Sequence, residues 1–190
     1  RTVAAYRATT PGATIITVRN RPTIGQAWND GAAAAQETGA EYLHLSADDV
    51  EPAGGWADQC MRAADGDVYP SPRILNADGS FHSCGTMGGG MLMPECATGT
   101  PCASSPFPFM RMDVWSLIGP SLDVSYYADD HLGWRARMHC LSVEVVRGFT
   151  LTHLEGTAGR ARSVARAAAD RATFLATIAV ESPAPAEVTA

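Results

Sequence analysis

The chain has 190 residues, 46% of them hydrophobic and 18% charged, the balance of a folded globular domain and not of a disordered segment. A formal net charge of −6 argues against general affinity for nucleic acid or an anionic membrane surface. No apolar run approaches the roughly 20 residues a membrane-spanning helix needs.

Five cysteines, at 60, 84, 96, 102 and 140, form no C-x-x-C pair and no zinc spacing. Reduced thiols in a cytoplasmic protein are the expectation, since no signal-peptide pattern is visible at Arg1.

In chain order, Arg1–Arg7 is too short to assign, though compatible with the tail of a helix closed by Pro11-Gly12. The β-branched run Ala13–Val18 predicts a buried strand. Asn20–Pro22 turns the chain, and Thr23 caps a helix through Thr38, with Ile24, Ala27, Trp28 and Ala32 on one face. Gly39 ends that helix. A second strand runs through Tyr42, Leu43 and Leu45 to two adjacent carboxylates, Asp48 and Asp49. The strand–helix–strand unit has the length of a parallel crossover. Carboxylates just past a buried strand sit where open α/β sheets bind ligands, and a divalent cation would relieve their repulsion. The plain alternative is a solvated turn or a cap for the next helix.

Pro52 and Gly54-Gly55 break the chain before a helix over Trp56–Ala64. Asp67–Pro70 predicts a short strand, ended by Pro70 and Pro72. Arg73–Leu75 and Ser80–Ser83 predict a hairpin about Asn76–Gly79. Cys84–Pro108 has no periodicity and predicts a lid or binding loop, or a partly disordered segment, with its glycines (Gly88-Gly-Gly90 among them) and prolines as hinges. Phe109–Met112 restores a strand and Asp113–Ile118 a helical turn. Asp129 starts another helix, with Leu132 and Arg135 on successive turns. Ser142–Val146 and Phe149–Thr152 predict two strands, the second delivering His153. Ala158–Val180 closes the fold as an amphipathic helix.

Taken in this order, the segments resemble family 2 glycosyltransferases of the GT-A fold, from about Ala13 to Gly156. Asn20–Gly31 resembles the stretch N-x-G…A-x-N-x-G, and Leu45-Ser-Ala-Asp-Asp49 is similar to the metal motif D-x-D, with Ser46 at its usual first Asp. Phe109-Met-Arg-Met-Asp-Val-Trp and Ile118-Gly-Pro resemble the acceptor-side segment. Tyr127-Ala-Asp-Asp-His-Leu-Gly-Trp-Arg135 resembles E-D-x-D-L-x-x-R, with Ala128 in place of the Glu and His131 in place of the later Asp.

The resemblance implies an α/β, GT-A-like (Rossmann-like) fold: a mostly parallel sheet flanked by helices, with a small hairpin and a C-terminal helix. It implies one domain over residues 1–180 and a flexible tail at 181–190. The implied activity is metal-dependent, inverting transfer of a sugar from a nucleotide-sugar donor to an acceptor hydroxyl on a glycan, a lipid-linked carrier or a protein. Mn2+ or Mg2+ would stabilise the departing diphosphate, held by Asp49 and His153, and a His ligand tilts the choice toward Mn2+. Asp48 and Asp49 would face the donor. Asp129 is the implied general base, with Asp130 in reserve. The family's opening strand–helix–strand has no counterpart before Ala13, and the chain does not open on Met. It is therefore expected to lack the N-terminal part of the nucleotide-binding half. Two alternatives stand beside this reading: an inactive carbohydrate- or nucleotide-binding module of the same fold, and a nucleotidyltransferase.

Overall fold

The computed structural model describes all residues except 67, 89–90, 95–96, 155–159 and 183–190, and residues 160–163 by their backbone alone. Most of the tail expected at 181–190, and part of the Gly88–Gly90 hinge, therefore lie outside the described residues. In chain order the elements are α1 (Thr2–Thr9), α2 (Ile24–Glu37), β1 (Tyr42–His44), β2 (Val50–Pro52), α3 (Trp56–Ala64), β3 (Val68–Asn76), β4 (Phe81–Ser83), β5 (Phe109–Arg111), α4 (Met112–Ile118), α5 (Ala128–Met138), β6 (Ser142–His153) and α6 (Arg160–Glu181).

The helices form where local chemistry directs them. Thr23 caps α2, its hydroxyl accepting the Gln26 N–H at 3.0 Å, and Trp28, Ala32 and Ala35 then fall on one buried face. Gly39, at φ +73°, takes the left-handed turn after α2. Helix α3 buries Trp56, Ala57, Cys60 and Ala64 in the same manner.

The sheets correct the expected architecture. One has the order β2-β6-β3-β4, and β1 and β5 form a separate pair. Only β3 and β6 run parallel; β2–β6, β3–β4 and β1–β5 are antiparallel. The sheet is mixed, not mostly parallel. One reason is that Ala13–Val18 forms no strand. From Thr14 to Arg19 no backbone hydrogen bond forms among the described residues, and Ile16 stands 36% exposed. The crossover expected to pair this run with β1 is therefore missing.

Three prolines also sit inside strands. Pro52 ends β2, which is an edge strand and so has a side that needs no donor. Pro70 and Pro72 lie within the nine residues of β3. Being two apart, they lose their donors on one edge, and the ladder to β6 shifts register between Ser71 and Arg73. The two strands expected over 142–152 are one, β6, which passes through Gly148 at φ +82°.

Two apolar clusters form the core. One gathers Trp28, Leu43, Tyr69, Met110, Leu132 and Val143 between α2, α5 and the start of β3 and β6. The other gathers Trp56, Phe109, Phe149 and Leu151 under α3, with Trp56 stacked on Phe149 at 5.6 Å. The segment expected as a loop over 84–108 has few ladder contacts, yet Cys84, Ser104, Ser105 and Phe107 are buried. Cys84 is disulfide-bonded, against the expected reduced state, whereas Cys60, Cys102 and Cys140 are free thiols. No helix among the described residues is long and apolar enough to cross a membrane.

Candidate active site

The chain leaves β1 at Ser46, passes Asp48 and Asp49, and enters β2, whose first residue Val50 pairs with His153 at the end of β6. That register brings Asp49 and His153 together, with His153 Nε2 3.1 Å from Asp49 Oδ2. The other carboxylate oxygen, Asp49 Oδ1, is buried and has no hydrogen-bond partner among the described residues. The hydrogen bond from His153 holds the Asp49 carboxyl below its ordinary range, against the opposing effect of burial. Asp48 is exposed, and its carbonyl accepts from the Thr2 hydroxyl. His82 and Phe107 present their rings to His153 at 5.6 and 6.1 Å.

Ser46 stands where the resemblance expects an acidic ligand, and it does other work. The Tyr6 hydroxyl lies 2.8 Å from both Ser46 Oγ and His44 Nε2, and His44 Nδ1 lies 3.1 Å from the Pro108 carbonyl. A carbonyl only accepts, so Nδ1 carries the proton and Nε2 accepts from Tyr6. Burial pushes His44 down to about 4, which keeps it neutral and structural. The network ties α1 to the strand that leads to the carboxylates.

The second group stands at the start of α5. Asp130 is 4% exposed, and its Oδ1 accepts from Thr86 Oγ1 at 2.9 Å and Ser104 Oγ at 3.2 Å. Asp129 has one weaker side-chain contact, Ser104 Oγ at 3.4 Å, and is more open than Asp130. Burial, and then the charge of Asp130, raise the Asp129 carboxyl to about 7. Thr86 and Ser104 are also 2.7 Å apart, so two hydroxyl protons face more contacts than they can serve. The Tyr69 hydroxyl is buried without a partner among the described residues, and the charge of Asp129 adds to burial in raising it above its ordinary value.

His131 and Arg135 belong to the scaffold. His131 is 2% exposed; its Nδ1 accepts the Leu122 N–H at 3.1 Å, and its Nε2 meets Glu181 Oε2 at 3.2 Å. Arg135 donates to Glu181 Oε1 at 2.6 Å and to the carbonyls of Ile118, Gly119 and Pro120. Both residues lock α5 to α6.

The sequence-predicted residues thus fall into two groups, Asp49 with His153 and Asp129 with Asp130. No hydrogen bond or ion pair joins the groups among the described residues. One segment touches both: Ser104 contacts Asp129, and Phe107 contacts His153. Three residues span at most about 11 Å. Ser105, between them, has a buried hydroxyl with no partner among the described residues. Thr86, Ser104 and Ser105 were invisible as site residues, because hydroxyls in an aperiodic stretch carry no spacing signal, and Tyr69 read only as part of a strand. Among the described residues no group of three or more His, Cys, Asp or Glu is placed to hold a metal ion.

No protein-family model matches the sequence, and no curated protein matches it. Among solved structures, one described as "Crystal structure of GalNAc-T7 with UDP, GalNAc and Mn2+" is similar, with a TM-score of 0.55 at 13% sequence identity. The fold is GT-A-like. The match covers 83% of this chain and 34% of that one, so the chain spans about a third of the length of its neighbour. At this identity the likeness carries architecture alone and does not single out family 2.

Proposed function

We propose that this chain transfers a sugar from a nucleotide-sugar donor to an acceptor hydroxyl, with Asp129 as the general base. The observation that carries the reading is the Asp129 carboxyl, raised to about 7 beside Asp130, because a base works best when its pKa lies near the operating pH. Asp130 takes the donors from Thr86 and Ser104 and is the anchor, which leaves Asp129 the reacting member. Asp129 accepts the acceptor's proton as the acceptor oxygen bonds to the anomeric carbon and the bond to the diphosphate oxygen breaks. In-line attack inverts the anomeric centre.

The Asp49–His153 pair fits a divalent cation. A buried carboxylate oxygen without a partner, beside an imidazole, is a donor set that Mn2+ accepts and that solvent does not serve. Bound there, Mn2+ or Mg2+ would neutralise charge on the departing diphosphate. Asp48, exposed beside this pair, would face the donor. The solved neighbour's description includes UDP, GalNAc and Mn2+, which favours a nucleotide-sugar donor over a nucleotidyl substrate. The acceptor is a hydroxyl of a glycan, a lipid-linked carrier or a protein.

The test is turnover of a panel of nucleotide sugars with simple glycan acceptors in Mn2+, with the anomeric configuration of the product read by NMR. Wild-type transfer with inversion, lost in Asp129→Asn, supports the reading. Donor binding without turnover in the wild type would replace it with the inactive binding module.

A further inference from the structure

Beside the Asp129–Asp130 pair, three residues stand in one row. Thr86 bridges Ser104 on one side and Leu92 on the other, both in antiparallel sense. Gly85, at φ +128°, lets the segments lie close, since a Cβ there would meet Cys102 Sγ at 2.9 Å and the Ser104 carbonyl oxygen at 3.0 Å. Directly opposed residues of antiparallel segments turn their side chains to the same face, about 5 Å apart. The two hydroxyls obey this rule: Thr86 Oγ1 and Ser104 Oγ are 2.7 Å apart, and both bond Asp130 Oδ1. Leu92, third in the row, belongs to the same face.

Thr86 and Ser104 are buried, whereas Leu92 is 45% exposed. The row therefore runs from the carboxylates to an open apolar side chain. Asp129 is touched at the Ser104 end, and Leu92 stands at the other end, about 10 Å away. That span leaves room for a sugar-sized head group between a hydroxyl on Asp129 and whatever meets Leu92. The Leu92 side chain has no polar atom for a sugar hydroxyl and no ring face for a sugar to stack on, so it recognises hydrocarbon. The outer edge of the row continues in kind. Met91 is exposed on the reverse side of that edge, as is Met87, whose N–H donates to the Met91 carbonyl at 2.7 Å. Thioether chains of this sort adapt to a flexible apolar partner. A single exposed leucine on a surface carries no message; one that completes a row ending at two buried carboxylates does.

We propose that the acceptor is an amphiphile, whose hydroxyl reaches Asp129 while an alkyl chain on the same head group lies over Leu92 toward Met91. Of glycan, lipid-linked and protein acceptors, this selects the lipid-linked one and makes Leu92 a specificity-determining residue. The inference rests on Asp129 as the base of the transfer proposed above.

The experiment compares methyl and octyl glycosides of the same sugars as acceptors, below the micelle concentration, with nucleotide-sugar donors in Mn2+. KM for the octyl glycoside should be lower at least about tenfold, with kcat little changed, because the chain contact is the same in the ground and transition states. Leu92→Ser should bring the methyl-to-octyl KM ratio close to one, and Leu92→Met should keep it. Val180→Ser, which removes an exposed apolar side chain of α6, should leave the ratio where it was. A ratio near one in the wild type, or an unaltered ratio in Leu92→Ser, overturns the proposal. Methyl-group NMR reads the same contact without turnover: the octyl glycoside should shift the Leu92 methyl resonances and the methyl glycoside should not. Such shifts without transfer would overturn the reaction and leave the apolar subsite standing. Transfer with unmoved Leu92 methyls would do the reverse.

Discussion

His153 and Asp49 are 104 residues apart in sequence, and their side chains meet at 3.1 Å because Val50 and His153 are direct partners across β2 and β6. The pair leaves Asp49 Oδ1 buried and unserved. Two side chains cannot fill the shell of a hard cation, so metal binding is expected to be weak until a diphosphate joins it. Calorimetry with Mn2+ should show tight binding only when a nucleoside diphosphate is present, and His153→Ala should weaken it at least about tenfold. The Asp49 carboxyl is held low, so that ligand stays ionised through the neutral range, and acid weakens metal binding. Tight metal binding without nucleotide would count against the assignment.

Asp129→Asn should lower kcat by about 10²–10⁴ while sparing donor affinity, since a base acts on the acceptor proton in the transition state. In the wild type the rate rises with pH through about 7. Asp130→Asn removes the neighbouring charge that helps to raise Asp129, so that acid limb should move to lower pH. An unchanged limb in Asp130→Asn would mean that some other group sets it.

The same carboxyl carries a stability signature. Its folded pKa is raised from 3.8 to about 7, so its contribution is fully present below about 4 and is lost as pH rises through about 7. His44 has the opposite sign: its pKa falls from 6.5 to about 4, so its contribution is present above 6.5 and lost as acid charges it. Comparing Asp129→Asn with the wild type cancels the His44 part. The difference in denaturant midpoint should favour the variant increasingly from pH 4 to pH 7 and then level off.

Gly133 sits where α5 crosses the segment that supplies Ser104. A Cβ there would lie 2.3 Å from the Ala103 carbonyl oxygen and 2.5 Å from Ser104 Cβ. Gly133→Ala should therefore lose more by overpacking, about 1–3 kcal/mol, than the roughly 1 kcal/mol of helix propensity it gains. It should also push Ser104 off both carboxylates. Thermal melting and the pH dependence of turnover read the two effects. An unchanged melting temperature would mean that this packing is looser than described.

Asp170 of α6 is 5% exposed, and its Oδ2 accepts the N–H groups of Ser125 at 2.9 Å and Tyr126 at 3.0 Å. It thereby fixes the turn in which Tyr127 takes φ +70° and feeds Asp129 into α5. Phe174 adds a stacked contact to Tyr127 at 5.7 Å. Asp170→Ala leaves two donors without partners, at about 1–3 kcal/mol each. Asp170→Asn keeps an acceptor and should retain more of the stability. Equal melting temperatures for the two variants would remove this role.

What residue order alone determined is the set of helices. Thr23 with Gln26, the apolar spacing of Trp28, Ala32 and Ala35, and Gly39 specify α2 within a stretch of 17 residues, because helical hydrogen bonds close over four residues and the caps are adjacent. The same holds for α3, and for the placement of Asp129 and Asp130 in the first turn of α5. Strand partners were decided elsewhere. Ala13–Val18 has every local mark of a strand and forms none, because a strand is made by its neighbour's backbone. Pro70 and Pro72, which read as a stop, lie inside β3 because β6 pairs with the strand on either side of them. The meeting of Asp49 with His153, and of Asp130 with Thr86 and Ser104, follows from those long-range pairings. No spacing along the chain encodes them.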